Sequence, residues 1–364
     1  MPDKPLEPDS PVKRLLQSTG VVSGMTLLSR ILGLARDVVF ARFFGAGMVM
    51  DAFFVAFKLP NIFRRFFAEG AFSQAFVPVF AEYDERRTAA EVRELIDRVS
   101  GTLGLVLFAF TLIGVLAAPA MIAIFAPGFI REAGADGGRY ALAVDMLRFT
   151  FPYLLFVSLT ALAGGILNTY QRFAAPAFAP VLLNVVLIVF AAFVAPTFEQ
   201  PGVALAVGVF CAGLVQLGFM LPFLARLGVL PRPRWGAAHE GVRRIMRLMA
   251  PAVFGSSVAQ INILFDTLIA SFLATGSISW LYYSDRLMEF PLGVFGIALA
   301  TVILPNLSRQ HAAIDEFQKT QRFIGRRRQH RPQRGRDPVD AGEGGALEVR
   351  RRFAEVPAER VLKA

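Results

Sequence analysis

A chain of 364 residues that is 55% apolar and only 18% charged falls well short of the roughly 25% charged residues of soluble domains. A very apolar soluble core is excluded by segment length. Arg172 to Glu199 and Glu199 to Arg226 each enclose 26 uncharged residues, where about 20 suffice to cross the hydrocarbon of a bilayer. The formal charge of +10 sits mostly in connections beside apolar segments and in the C-terminal tail, so it signals loops facing the cytoplasm rather than a nucleic-acid partner.

Taken in order, the chain reads as an all-α polytopic membrane protein of about eight transmembrane helices. Residues 1–19 form a cytoplasmic N-terminal segment. Lys13 and Arg14 ahead of an apolar stretch imitate a signal peptide. Arg30 and Arg36 interrupt that stretch and no cleavage site follows, so it reads as a retained first helix. The predicted spans are 20–44, 51–81, 100–126, 146–170, 175–197, 202–225, 246–273 and 277–308. Residues 20–232 would form a complete six-helix lobe and 233–310 the first two helices of a second. The tail, 311–364, is basic, poor in apolar residues and expected to be disordered.

The connections test this count. One side holds only Arg131 and Arg139, both in 127–145. The other carries Lys4, Lys13, Arg14, Arg86, Arg87, Arg93, Arg98, Arg172, Arg226, Arg232, Arg234, Arg243 and Arg244. That alternation puts both termini in the cytoplasm. Prolines recur inside the spans, at Pro60, Pro78, Pro152, Pro180, Pro251, Pro291 and Pro305. Each alone is an ordinary kink; together they favour bent helices around a cavity. A faint repeat relates 20–81 to 246–308, as in transporters built from two lobes.

The first two spans and the eighth carry charges that lipid does not tolerate. Each costs roughly 2.5–3.5 kcal/mol at the bilayer centre even on the forgiving insertion scale. Lys58, Asn61, Arg65 and Glu69 share one helical face, with Arg64 one turn from Asn61. Arg30 lies seven residues from Asp37, as Ser29 does from Arg36; Arg286 and Glu289 are three apart. Two readings compete. Arginine–carboxylate pairs could simply hold helices together. Alternatively Arg30, Arg36, Arg64 and Arg286 point into a chamber at an anion, which guanidinium suits because its planar fork matches phosphate oxygens. Asp266, in the middle of the seventh span, is a candidate cation ligand, proton carrier or helix-pairing group. His239, His311 and His330 fall in loops or tail, Cys211 is the lone cysteine, and no phosphate-binding glycine loop is present. No enzyme chemistry and no cofactor is expected.

Four stretches, SRILGLARD, the run Asp51–Tyr83, the run Phe151–Asn184 and YYSDRLMEFPLGVFG, closely resemble the MurJ (MviN) family. Its members are lipid II flippases of the multidrug/oligosaccharidyl-lipid/polysaccharide exporter superfamily. The resemblance covers about residues 15 to 318. It implies alternating access between two lobes, with lipid II as partner, membrane lipids around it, a monomer, and a bacterial inner-membrane location. It implies work in peptidoglycan synthesis and cell shape. It implies Ser29, Arg30, Arg36, Asn61, Arg64 and Arg286 as substrate-binding residues, with Asp37, Asp51, Lys58, Arg65, Glu69 and Glu289 in the cavity and gate. Asp266 falls where some members place a sodium ligand, and the driving force would be a Na+ or H+ gradient or the membrane potential. After about Thr320 the resemblance ends in QRFIGRRRQHRPQRGRDP, so a truncated or frameshifted frame is expected. A related exporter of another polysaccharide lipid or drug, or an inactive remnant, is the alternative.

Overall fold

The computed structural model describes residues 11–65, 71–131 and 138–293. Glu69, the far end of the eighth predicted span and the whole tail lie outside the described residues. Contacts group the chain into Met1–Ala300 and Thr301–Ala364, and all that follows concerns the first unit.

Every regular element among the described residues is helical, as lipid requires of a chain whose backbone must satisfy itself. α1 (Pro11–Phe44) covers the first predicted span. The described parts of the second lie in α2 (Met48–Arg64) and α3 (Ala71–Arg86). α4 (Ala89–Leu116) starts well before the predicted position 100. Thr88 and Glu91 form a reciprocal cap there, with the Thr88 amide donating to the Glu91 carboxylate at 2.9 Å. This cap lets a charged stretch continue the helix beyond the apolar segment. α5 (Ala118–Phe125) and α6 (Gly128–Arg131) complete that crossing.

The fourth predicted span also differs. It begins at Gly138 rather than 146 and is interrupted by a turn at Phe151–Pro152, giving α7 (Gly138–Thr150) and α8 (Tyr153–Thr169). Proline has no amide to continue the ladder, which accounts for the break. α9 (Ala174–Val189) passes through a π turn, Phe190–Val194, into a short 3-10 turn at Ala195–Thr197. α10 (Pro201–Arg226) and α11 (Glu240–Ser271) follow, and residues 277–293 form α12.

Of these, 89–116, 138–169, 174–197 and 201–226 are long and apolar enough to cross a membrane. α1 and α11 carry charges within their apolar stretches, and the described helices of the second and eighth predicted spans are 17 residues or shorter. α1 packs on α9, α2 on α7, α8 on α10, and α3 on α11. The buried aromatic rings Phe40, Phe53 and Phe57 knit α1 to α2; Phe53 and Phe57 stack 5.6 Å apart. Gly276 opens α12 at φ +101°, and a Cβ there would lie 3.0 Å from the Ala46 carbonyl oxygen. That combination leaves room for glycine only.

Candidate functional site: a guanidinium-lined cavity

α1, α9 and α12 enclose a cavity of about 760 Å³. Ser29, Arg30, Arg36 and Asp37 line it from α1, Asn184 from α9, and Arg286 and Glu289 from α12. Three guanidiniums face two carboxylates, so the lining carries an excess positive charge. Its floor is apolar, with Val22, Leu34, Leu183 and Phe290 among the lining residues.

Arg36 is 3% exposed and makes four side-chain hydrogen bonds. Its Nε and Nη2 donate to Asp37 Oδ1 at 2.9 and 2.7 Å. Nη1 donates to Asn184 Oδ1 at 3.1 Å, and Nη2 also reaches the Tyr282 hydroxyl at 2.9 Å. Asn184 in turn donates to the Ser29 carbonyl at 3.0 Å, tying α9 to α1. Tyr282 donates to Asp37 Oδ1 at 3.3 Å and stacks on Phe54 with centroids 3.8 Å apart. For Arg36 the helix-holding pair with a carboxylate is therefore present, while the side chain still lines the cavity. A guanidinium this deeply buried is stable only when its donors are met, and Asp37 meets two of them.

Arg286 is the more available group. At 43% exposure it donates through Nη1 to Glu289 Oε2 at 3.0 Å, while its Nε lies 3.5 Å from Asp37 Oδ2. Asp37 Oδ2 itself accepts no hydrogen bond. Arg30 makes no ion pair among the described residues, and its guanidinium rests on Gly293, where a Cβ would overlap it. The site thus holds one locked arginine, one loosely paired and one open. An entering phosphate could take the last two without dismantling the first.

The remaining predicted residues do not line this cavity. Lys58 donates to Thr267 Oγ1 at 2.9 Å and Arg65 to Gln260 Oε1 at 3.2 Å, so both reach α11. Asn61 accepts from Arg64 Nε at 3.1 Å and donates to the Phe57 carbonyl at 2.8 Å. The polar faces of α1 and α2 address different neighbours, which divides the single expected constellation into two. Asp266 is exposed beside this second group, where it interacts with Lys58. No trio of acidic, histidine or cysteine side chains suited to a metal occurs among the described residues.

Asp51 is completely buried in a knot of its own. Oδ1 accepts from the Ser279 amide at 2.9 Å and hydroxyl at 2.6 Å; Oδ2 accepts from the Gly276 amide at 2.7 Å and from Arg139 at 3.3 Å. Arg139, expected in a loop, is 3% exposed inside α7 and lies over the Phe129 ring. Asn184 and Tyr282 were likewise not singled out. Asn184 is the one amide in the apolar run of α9 and could have been found on that ground. Tyr282 gave no such sign.

A sequence model of the lipid II flippase MurJ family matches residues 40–324. A probable lipid II flippase MurJ of Vibrio cholerae is 57% identical over 302 residues, 82% of this chain and 58% of its own length. The chain belongs to the lipid II flippase MurJ family. The Haemophilus influenzae relative is 52% identical over 290 residues. Among solved structures, lipid II flippase MurJ in an inward closed conformation superposes with a TM-score of 0.66 at 28% identity, covering 80% of this chain and 59% of that one. An outward-facing multidrug resistance MATE family transporter gives a TM-score of 0.55 at 16% identity, which speaks to fold alone. The chain spans a little under three fifths of the length of the curated relatives it matches.

Proposed function

We propose that this chain acts in the transfer of lipid II, an undecaprenyl-diphosphate-linked disaccharide-pentapeptide, across the cytoplasmic membrane for peptidoglycan synthesis and cell shape. The observation that carries the reading is the cavity between α1, α9 and α12, where Arg30 and Arg286 stand in an apolar surround with donor capacity to spare. Guanidinium forks suit a diphosphate bidentately and keep their charge at every working pH. The apolar floor suits the start of a polyprenyl chain. Arg36, held by Asp37, Asn184 and Tyr282, sets the field of the site and keeps α1 in register with α9. No covalent bond changes; the work is alternating exposure of the cavity to the two leaflets.

In this reading Arg64, Arg65, Lys58 and Asn61 form a second polar track facing α11, with Glu69 following them in sequence. The protein is a monomer with both termini in the cytoplasm, driven by the membrane potential or an ion gradient. The test is lipid II binding to the purified chain by native mass spectrometry. Arg30→Gln and Arg286→Gln should each weaken retention about tenfold or more, the worth of one charge-assisted contact. Unchanged retention in both variants would remove the basis of the assignment.

A further inference from the structure

A second cavity, of about 640 Å³, lies where the C-terminal end of α8, the start of α9, the end of α10 and Val21 of α1 meet. Arg172 and Arg226 stand at its polar edge together with Gln171. Its body is apolar, with Leu167, Phe173, Phe223 and Leu227. Both arginines are exposed and neither makes an ion pair among the described residues. They sit at the ends of three apolar crossings, 138–169, 174–197 and 201–226, and therefore at headgroup level. The basic loops place this end at the cytoplasmic leaflet.

The turn that presents them is held by its own backbone. The Arg172 amide donates to the Leu167 carbonyl at 2.8 Å and the Gln171 amide to the Asn168 carbonyl at 3.0 Å, closing α8 in a Schellman turn. Glycine usually occupies the left-handed position of that turn. Here Gln171 does, at φ +60°, a conformation that costs a residue with a Cβ about 1–2 kcal/mol. Strain of this kind is retained where a side chain is wanted at that spot, and Gln171 lines the cavity. The start of α9 beside it has no side-chain cap.

We infer that this cavity binds an anionic phospholipid of the cytoplasmic leaflet, its phosphodiester between Arg172 and Arg226 and an acyl chain along Phe173 and Phe223. Charge complementarity selects the occupant, because two guanidiniums without an ion pair among the described residues, that of Arg226 over the Phe223 ring at 6.0 Å, beside an apolar trough suit a molecule that is anionic at one end and hydrocarbon at the other. The site is separate from the α1–α9–α12 cavity. The two share no lining residue.

The test is native mass spectrometry of the full chain titrated with phosphatidylglycerol or phosphatidylcholine. Phosphatidylglycerol should be retained about tenfold better, and the R172Q/R226Q variant should lose that preference. Ala174→Trp, which narrows the trough and keeps both charges, should weaken retention of both lipids while the thermal midpoint stays in place. Millimolar inorganic phosphate should fail to displace the lipid. Equal preference in R172Q/R226Q and the parent chain would overturn the site. Displacement by phosphate would overturn the lipid as occupant and leave a free anion in its place. Arg30→Gln, at the other cavity, should leave the phosphatidylglycerol preference unchanged; its loss there would also overturn the site.

Discussion

Two clusters in this molecule are built from the same parts, an aspartate and arginine on packed helices, and they differ in what is left over. Around Asp51 neither carboxylate oxygen is: four donors from α7, the turn at Gly276 and the first turn of α12 meet both in a fully buried knot, with only the Arg139 Nε left over. Around Asp37 one oxygen accepts from Arg36 and Tyr282, while the other accepts no hydrogen bond and pairs loosely with Arg286 at 3.5 Å, beside the cavity that both residues line. A closed knot clamps helices; a cluster with spare donors and acceptors beside a cavity can bind. The difference lies in what surrounds each pair rather than in residue type.

The largest effect should come from opening the closed knot. Asp51→Ala removes the carboxylate that the buried Arg139 charge and two amides of the 276–279 turn share, at a cost of about 3–5 kcal/mol, read as a lowered thermal midpoint and poor yield. Asp51→Asn keeps an acceptor and should recover much of that loss. Asp37→Ala also strands a buried guanidinium and falls at the lower end of that range, about 3 kcal/mol, because Arg36 keeps Asn184 and Tyr282 and Arg286 is partly exposed. If it destabilises as much as Asp51→Ala, the contrast fails. Tyr282→Phe removes one hydroxyl but keeps the stack on Phe54, and should cost about 1 kcal/mol. Arg30→Gln sharpens the comparison most. Stability should move by no more than about 0.5 kcal/mol while lipid II retention falls. Gly293→Ala should repeat that binding loss with Arg30 still present, since its methyl takes the place of the guanidinium.

The smallest effect belongs to the exposed Arg244–Glu82 pair at 2.9 Å. The Arg244 hydrogen bond holds the Glu82 carboxyl below its ordinary value. The pair therefore contributes above that ordinary value and is lost as pH falls toward the lowered one. Between pH 6 and 8 the thermal midpoint of Glu82→Gln should track that of the parent chain, because exposed pairs are screened and weak.

Much of this was legible in the chain itself. Uncharged runs of 26 residues specify membrane crossings because hydrocarbon thickness sets their length. Intramembrane arginines announce a polar interior because lipid will not hold them. The pairing of Arg286 with Glu289, three residues apart, follows from helical periodicity alone. Tertiary structure decided the rest. Which arginine is locked and which is open depends on Asn184 and Tyr282, residues 148 and 246 positions from Arg36 in sequence. Whether an aspartate clamps or faces a cavity depends on how each helix is rotated against its neighbours, and no periodicity within one helix encodes that. Arg139 entered the core for the same reason: its acceptor, Asp51, lies on another helix, and only packing brings the two together.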